Sequence, residues 1–185
     1  KLAASQCYAQ ADIVAKKNRF HPIRDYLRPL RWDGVLRIET WLIRLCGAAD
    51  TPYVRMVSRF FLVSAVARVM DPGCKVDTML ILEGLQGKKK SATFRTLFSR
   101  EWFSDAYIDW NTKDRFEALR GKWCVEMAEL AGMRKADVEK VKGYLSAEAD
   151  DYRRPYGKAY ERAERQCVFG GTVNPNALGT YLRDD

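Results

Sequence analysis

Histidine is nearly absent from this chain. His21 is the only one, and the five cysteines, Cys7, Cys46, Cys74, Cys124 and Cys167, are widely spaced with no C-x-x-C pair. Zinc sites are built from such pairs and clusters, so their absence argues against one. Several cysteines sit in apolar segments and read as small buried hydrophobes in a reducing cytoplasm, which is where the protein is expected. No apolar run approaches the roughly 20 residues that span a bilayer, so no membrane partner is expected. No signal peptide, internal repeat or low-complexity linker is visible in these residues. The first residue is Lys1 rather than Met, so the chain reads as a fragment of something longer.

What is present suits one globular domain with a small appendage. The 185 residues are 47% hydrophobic and 30% charged. The net charge of +8 is unevenly placed. Residues 1–75 hold 13 Lys and Arg against 6 Asp and Glu, a balance of +7; residues 76–185 hold 19 against 18, a balance of +1. A basic first part points to an anionic partner, with nucleic acid the leading candidate beside a merely solvated cationic surface.

The pattern along the chain changes near Gly73. Before it, helices are predicted over 2–17, 20–27, from about Ile38 to a cap at Gly47, and over 51–73. In the last of these Thr51 is the N-cap, Pro52 lies in the first turn, and Val54, Val57, Phe61, Val66 and Val69 form the buried stripe. After it, strands over 77–83, 122–130 and 164–174 alternate with a loop and helix over 84–98, the helix from about 90, and with helices over 112–120 and 135–147. Val138, Val141 and Leu145 share one face of the last helix. The segment 102–110 reads as strand then loop. The expected organisation is a helical N-terminal part, residues 1–72, and an α/β core, residues 73–185.

The stretch LEGLQGKKKSA, 82–92, carries the chemistry. A triphosphate-binding loop needs flexible backbone, a helix N-terminus, a lysine for the phosphates and a hydroxyl for Mg²⁺. Gly84 and Gly87 supply flexible points, Lys90 and Ser91 stand at the lysine and hydroxyl positions, and Gln86, Lys88, Lys89 and Ala92 complete the loop. The strict pattern has glycine immediately before the lysine; here it is Lys89. With positive φ, that substitution costs about 1 kcal/mol or somewhat more. A nucleotide hydrolase also needs acids at a neighbouring strand end. CVEMAE offers Glu126 and Glu129, which can act together only if the strand ends near Met127. GGTVN, ending the third strand, offers Asn174, with Thr172 second. Three strand ends then meet on one edge, where α/β sheets place ligands.

These residues resemble the virulence-associated protein E family, phage and prophage P-loop ATPases related to superfamily 3 helicases. The matching stretches include NRFHPIRDYL (18–27), RWDGVLRIETWL (31–42), LEGLQGKKKS (82–91), GKWCVEMAEL (121–130), DDYRRPYG (150–157), QCVFGGTVN (166–174) and YLRD (181–184). The resemblance covers nearly everything from residue 18 onward. It implies a P-loop NTPase core of the AAA+ and superfamily 3 helicase type, with ATP and Mg²⁺ as cofactors. It also implies a homo-oligomeric, hexameric ring on single-stranded DNA, often near a primase module. By resemblance Lys90 and Ser91 are phosphate and Mg²⁺ ligands, Glu126 and Glu129 the acidic strand end, and Asn174 the sensor. Arg153 and Tyr156, with Arg154 and Lys158 beside them, face the DNA channel. Family members commonly carry glycine where Lys89 stands. They continue past YLRD into a Gly-Asn-Arg-Arg-Phe-like segment whose arginines reach a neighbouring subunit's nucleotide. Both departures imply slow turnover by this chain alone.

The expected function is therefore the Mg-ATP-hydrolysing core of a phage-type replicative helicase, with Glu126 on the metal side and Glu129 activating water. Two rivals follow from the same residues. In one, a degenerate loop and its three lysines hold nucleic acid. In the other, a small kinase uses RRPYGK, 153–158, as its lid.

Overall fold

The structure, a computed structural model, describes residues 4–18, 20–108, 113–128, 135–153 and 160–174. By contact it divides into two compact units, Lys1–Asp33 and Gly34–Asp185. The first holds helices α1 (Ala4–Lys17) and α2 (Pro22–Leu27). Pro22 opens α2 as predicted, and the His21 ring accepts a hydrogen bond from the Arg24 N–H at 3.3 Å, capping it.

The second unit is mixed α/β. Helices α3 (Trp41–Cys46) and α4 (Pro52–Met70) precede strand β1 (Met79–Glu83). Helices α5 (Lys90–Leu97) and α6 (Ser99–Trp102) lead to the short β2 (Phe103–Ser104). A 3₁₀ segment (Lys113–Leu119), β3 (Cys124–Met127) and α7 (Lys135–Ser146) follow. Strands β4 (Ala149–Arg153) and β5 (Tyr160–Glu164) form an antiparallel hairpin, and β6 (Val168–Val173) comes last. Among the described residues four strands build one parallel sheet in the order β1-β6-β3-β2. Parallel pairing sends every strand's carboxyl end to one edge, and that edge holds the site.

Both faces of the sheet are covered, which explains the continuous burial of β3 and β6. On one face an aromatic chain runs from α3 through α4 to α5 and β3. Trp41 stacks on Phe61; Phe61 meets Phe94 and Phe98 edge-on; Phe98 meets Trp123. The indole N–H groups of Trp41 and Trp123 donate to the Ser58 and Ala65 carbonyls of α4 at 3.0 and 2.8 Å. On the other face Val141, Tyr144 and Leu145 of α7 pack with Val125, Met127, Phe169 and Val173. Val141 and Leu145 thus share a buried face as predicted; the Val138 side chain lies outside the described residues.

Several sequence readings shift. Thr51 and Pro52 start α4 as expected, the Thr51 hydroxyl accepting from the Val54 N–H at 3.2 Å, and Gly47 ends α3 with φ 71°. The buried stripe of α4, however, is Ser58, Phe61, Ser64, Ala65, Arg68 and Val69. Val66, assigned to the core, is 39% exposed. It stands five positions past Phe61, about 140° round the helix. The sheet takes the small residues instead, and a reading of large apolar residues alone rotates the stripe. The segment 102–110 begins in α6 before β2, and the strand expected over 122–130 is only Cys124–Met127. Of the cysteines, Cys124 and Cys167 are buried, and burial pushes the Cys167 thiol up to about 11; Cys7 and Cys46 are exposed.

The hairpin of β4 and β5 is absent from the sequence reading, in which the resemblance sets 150–157 towards the DNA channel. It is tied down by a buried ion pair. Arg165 donates to both Asp150 carboxylate oxygens at 2.8 and 2.7 Å and to the Tyr144 carbonyl, and lies 4.1 Å over the Tyr144 ring. Burial opposes the charge on Arg165, but the Asp150 carboxylate overcomes it and leaves the pKa raised. The side chains of the pair are 1% and 8% exposed, so removing one partner strands a buried charge. Asp150→Ala is expected to destabilise the fold by about 3–5 kcal/mol, read from urea denaturation, and the volume-conserving Asp150→Asn by less.

A second test concerns Gly170. A Cβ at this position would lie 2.6–2.8 Å from the Phe94 ring, closer than real side chains approach. Gly170→Ala is expected to cost about 1–3 kcal/mol in the same assay and to displace α5 from β6.

Candidate nucleotide-type site at the sheet edge

The loop from Gly84 to Lys89 joins β1 to α5. Gly87 has φ 81°, a conformation glycine supplies freely. Lys89 has φ 57° and ψ 28°, so a lysine occupies the left-handed region where the strict loop pattern has glycine. The departure seen in the sequence thus falls where it costs most: about 1–2 kcal/mol of backbone strain. In exchange the chain turns directly into α5, whose first N–H groups have no partners within the helix and face the site. Gly84 is less constrained; a Cβ there would meet nothing within 4 Å.

Lys90 reaches back across this loop. Its ammonium donates to the Gly84 carbonyl at 2.6 Å, the Leu85 carbonyl at 3.0 Å and Asn174 Oδ1 at 2.8 Å. One positive charge therefore closes the loop on itself and links it to the end of β6. The strands agree, since Glu83 pairs with Val173 in register and the Gly84 N–H bonds the Val173 carbonyl at 3.3 Å.

Ser91 points to the neighbouring acid. Its hydroxyl donates to Glu126 Oε1 at 2.7 Å, and the Thr172 hydroxyl donates to the same oxygen at 2.7 Å. Register explains the meeting. Glu126 pairs with Gly170, and Thr172 lies two positions on, so all three share one sheet face. Glu126 is 2% exposed, and its Oε2 is buried without a partner. A carboxylate in an apolar strand thus has one oxygen that accepts two hydrogen bonds and another that is buried without a partner. A buried carboxylate oxygen left unpaired is costly, and a bound cation or hydrogen-bond donor removes that cost.

The virulence-associated protein E-like domain family matches residues 27–185. The chain belongs to that family. No curated protein matches it. Among solved structures the chain is similar to the A-form apo structure of the NrS-1 C-terminal region. The identity is 18% and the TM-score 0.53, covering 75% of this chain and 33% of that one. An apo structure of the same region gives 21% and 0.46 over 64% and 30%, and a second A-form apo structure 19% and 0.48 over 80% and 34%. The chain spans about a third of the length of these structures, and the likeness is one of fold.

Within this virulence-associated protein E-like domain, the structure gathers Gly84, Lys90, Ser91, Glu126 and Asn174 at one sheet edge. Gln86, Gly87, Lys88 and Lys89 are exposed along the loop, and Ala92 is half-buried in the first turn of α5. Thr172, ranked behind Asn174 in the sequence, proves to be the residue that holds Glu126. Its signal was the alternation along GGTVN, which puts Thr172 on the face of Gly170. The strand carrying Glu126 ends at Met127, as joint action with Glu129 required, but Glu129 itself lies outside the described residues. So do Arg154, Tyr156 and Lys158, while Arg153 ends β4 with its side chain outside them. Among the described residues no cluster of three or more His, Cys, Asp or Glu could hold a metal ion by itself, and no helix is long and apolar enough to cross a membrane.

Relieving the strain at the loop gives a direct test. Lys89→Gly is expected to stabilise the chain by about 1 kcal/mol in urea denaturation, since the lost strain exceeds the added freedom of the unfolded chain. A loss of stability would mean that the Lys89 side chain makes a contact worth more than its backbone costs.

Proposed function

We propose that this chain is a P-loop NTPase core that binds Mg-ATP and hydrolyses it, as the ATPase part of a phage or prophage replicative helicase acting on single-stranded DNA. The observation that carries the reading is the pairing of Lys90 and Glu126 across the edge. A loop lysine lies on one side of β6 and a buried carboxylate with an unpartnered oxygen on the other, with Ser91 beside it. A triphosphate needs the cation, the helix N-terminus and the hydroxyl; a divalent cation needs the hydroxyl and the carboxylate. The residues present fit both. Ser91 and Glu126 would hold Mg²⁺, which when bound neutralises charge on the β and γ phosphates.

The remaining roles belong to the chain's own groups. The first N–H groups of α5 and the loop backbone would cradle the phosphates. Lys90 would place its ammonium against the β and γ oxygens, and Asn174 would sit beside the terminal phosphate and the water that attacks it. Thr172 would keep the Glu126 carboxylate fixed. Glu129 is proposed as the water-activating base. The ring assembly, the neighbouring primase module and the DNA contacts of Arg153, Arg154, Tyr156 and Lys158 belong to the same reading.

A module that merely holds nucleic acid with Lys88, Lys89 and Lys90 is less well supported. Lys90 is turned into the loop, where carbonyls hold its charge, whereas a DNA-contacting lysine presents its ammonium to solvent.

Calorimetric titration of ATP with Mg²⁺ decides between them. Wild type is expected to bind in the micromolar range. Lys90→Ala is expected to weaken binding by at least about 10-fold, because a hydrogen bond to a charged group is lost. Glu126→Gln is expected to bind ATP alone as before but to lose the enhancement by Mg²⁺. No binding by wild type, or undiminished binding by Lys90→Ala, would overturn the reading.

A further inference from the structure

The Lys90 ammonium has three N–H bonds to give, and three protein oxygens take them: Gly84 O, Leu85 O and Asn174 Oδ1, at 2.6, 3.0 and 2.8 Å. Nothing is left for a phosphate oxygen. We propose that Asn174 is a latch: without nucleotide it locks Lys90 into the loop, and a phosphate must displace it before the lysine can engage. This rests on the nucleotide reading above and adds a regulatory device to the same site.

The geometry separates the latch from the loop's own closure. Gly84 and Leu85 are within six residues of Lys90 and hold the lysine by local backbone alone. Asn174 is 84 residues away in sequence and reaches the same ammonium from the end of β6. It is therefore the one partner of the three that joins the loop to another strand. With the carboxamide oxygen turned to Lys90, the Asn174 NH₂ faces away from it, so the same side chain must turn, or the lysine must leave, before that amide can donate to a phosphate. Asn174 is exposed, so its turning disturbs no packing. A latch of this kind makes the empty site slow to load, and it is released by the ligand whose phosphate competes for the cation.

Two measurements test it. The first needs no nucleotide: amine acetylation of the intact chain, followed by peptide mass spectrometry. In wild type, Lys90 is expected to react at least about 10-fold more slowly than its exposed neighbours Lys88 and Lys89, and Asn174→Ala is expected to raise the Lys90 rate several-fold while leaving theirs unchanged. The second is binding of a fluorescent ADP analogue, chosen because ADP lacks the terminal phosphate that Asn174 would touch. Asn174→Ala is expected to bind it about 10-fold faster than wild type, the worth of one hydrogen bond to a charged group. Asn174→Asp, whose carboxylate grips the ammonium harder, is expected to bind more slowly. Lys90 labelling unchanged by Asn174→Ala would overturn the latch even if ADP binds. Faster labelling with no ADP binding by any variant would keep the contact but overturn the nucleotide reading and the loading role with it. Equal melting temperatures for the three proteins are expected, and a drop of several degrees in Asn174→Ala would instead assign Asn174 a purely structural role.

Discussion

The bare backbone of Gly170 under the Phe94 ring sets the geometry of the whole edge. A side chain on that strand position would lift α5 from the sheet. With none there, the helix settles close enough for its second residue, Ser91, to reach Glu126 two strands away from β1. Phe94 is fully buried, and Phe61 of α4 packs against its edge, so the ring is clamped from both sides. The distance between a loop hydroxyl and a strand carboxylate is thus fixed by an aromatic contact in which neither group takes part.

From that closeness follows a division of labour by β6. The central strand carries two polar side chains at its end, and each is committed to a different charge. Thr172 donates to the anion at Glu126; Asn174 accepts from the cation at Lys90. Opposite charges left alone across a narrow edge attract and collapse the space between them. Each is instead held by its own neutral partner on β6, which keeps the two charges apart.

Much of this was readable in the residues. The loop and its lysine, the acid inside an apolar strand and the polar residue after the third strand each have a local chemical signature. The departure at Lys89 was visible as well, and its positive φ agrees with the strain foreseen for a glycine position. What escaped the sequence depended on partners far along the chain. The rotation of the α4 stripe depends on which side chains the sheet accepts, small Ser58, Ser64 and Ala65 and even the guanidinium of Arg68, which donates to the Val76 carbonyl at 2.8 Å. The hairpin was missed because ADDYR and YERAE are rich in charge and poor in β-branched residues. Their pairing leans on one buried ion pair, which no periodicity shows.

The strand order also bears on how the chain is made. Among the described residues β6 is the last strand of the sheet in sequence, yet it lies between β1 and β3. Met79 finds its partner only at Phe169, 169 − 79 = 90 positions later. Until those residues leave the ribosome, β1 and β3 each present an unpaired, largely apolar edge, and α5 has no glycine floor to rest on. Such late closure slows folding and leaves edges open to other chains. The hydroxyl and amide that complete the site ride on the same segment that closes the sheet, so a nascent chain acquires its fold and its chemistry in a single step.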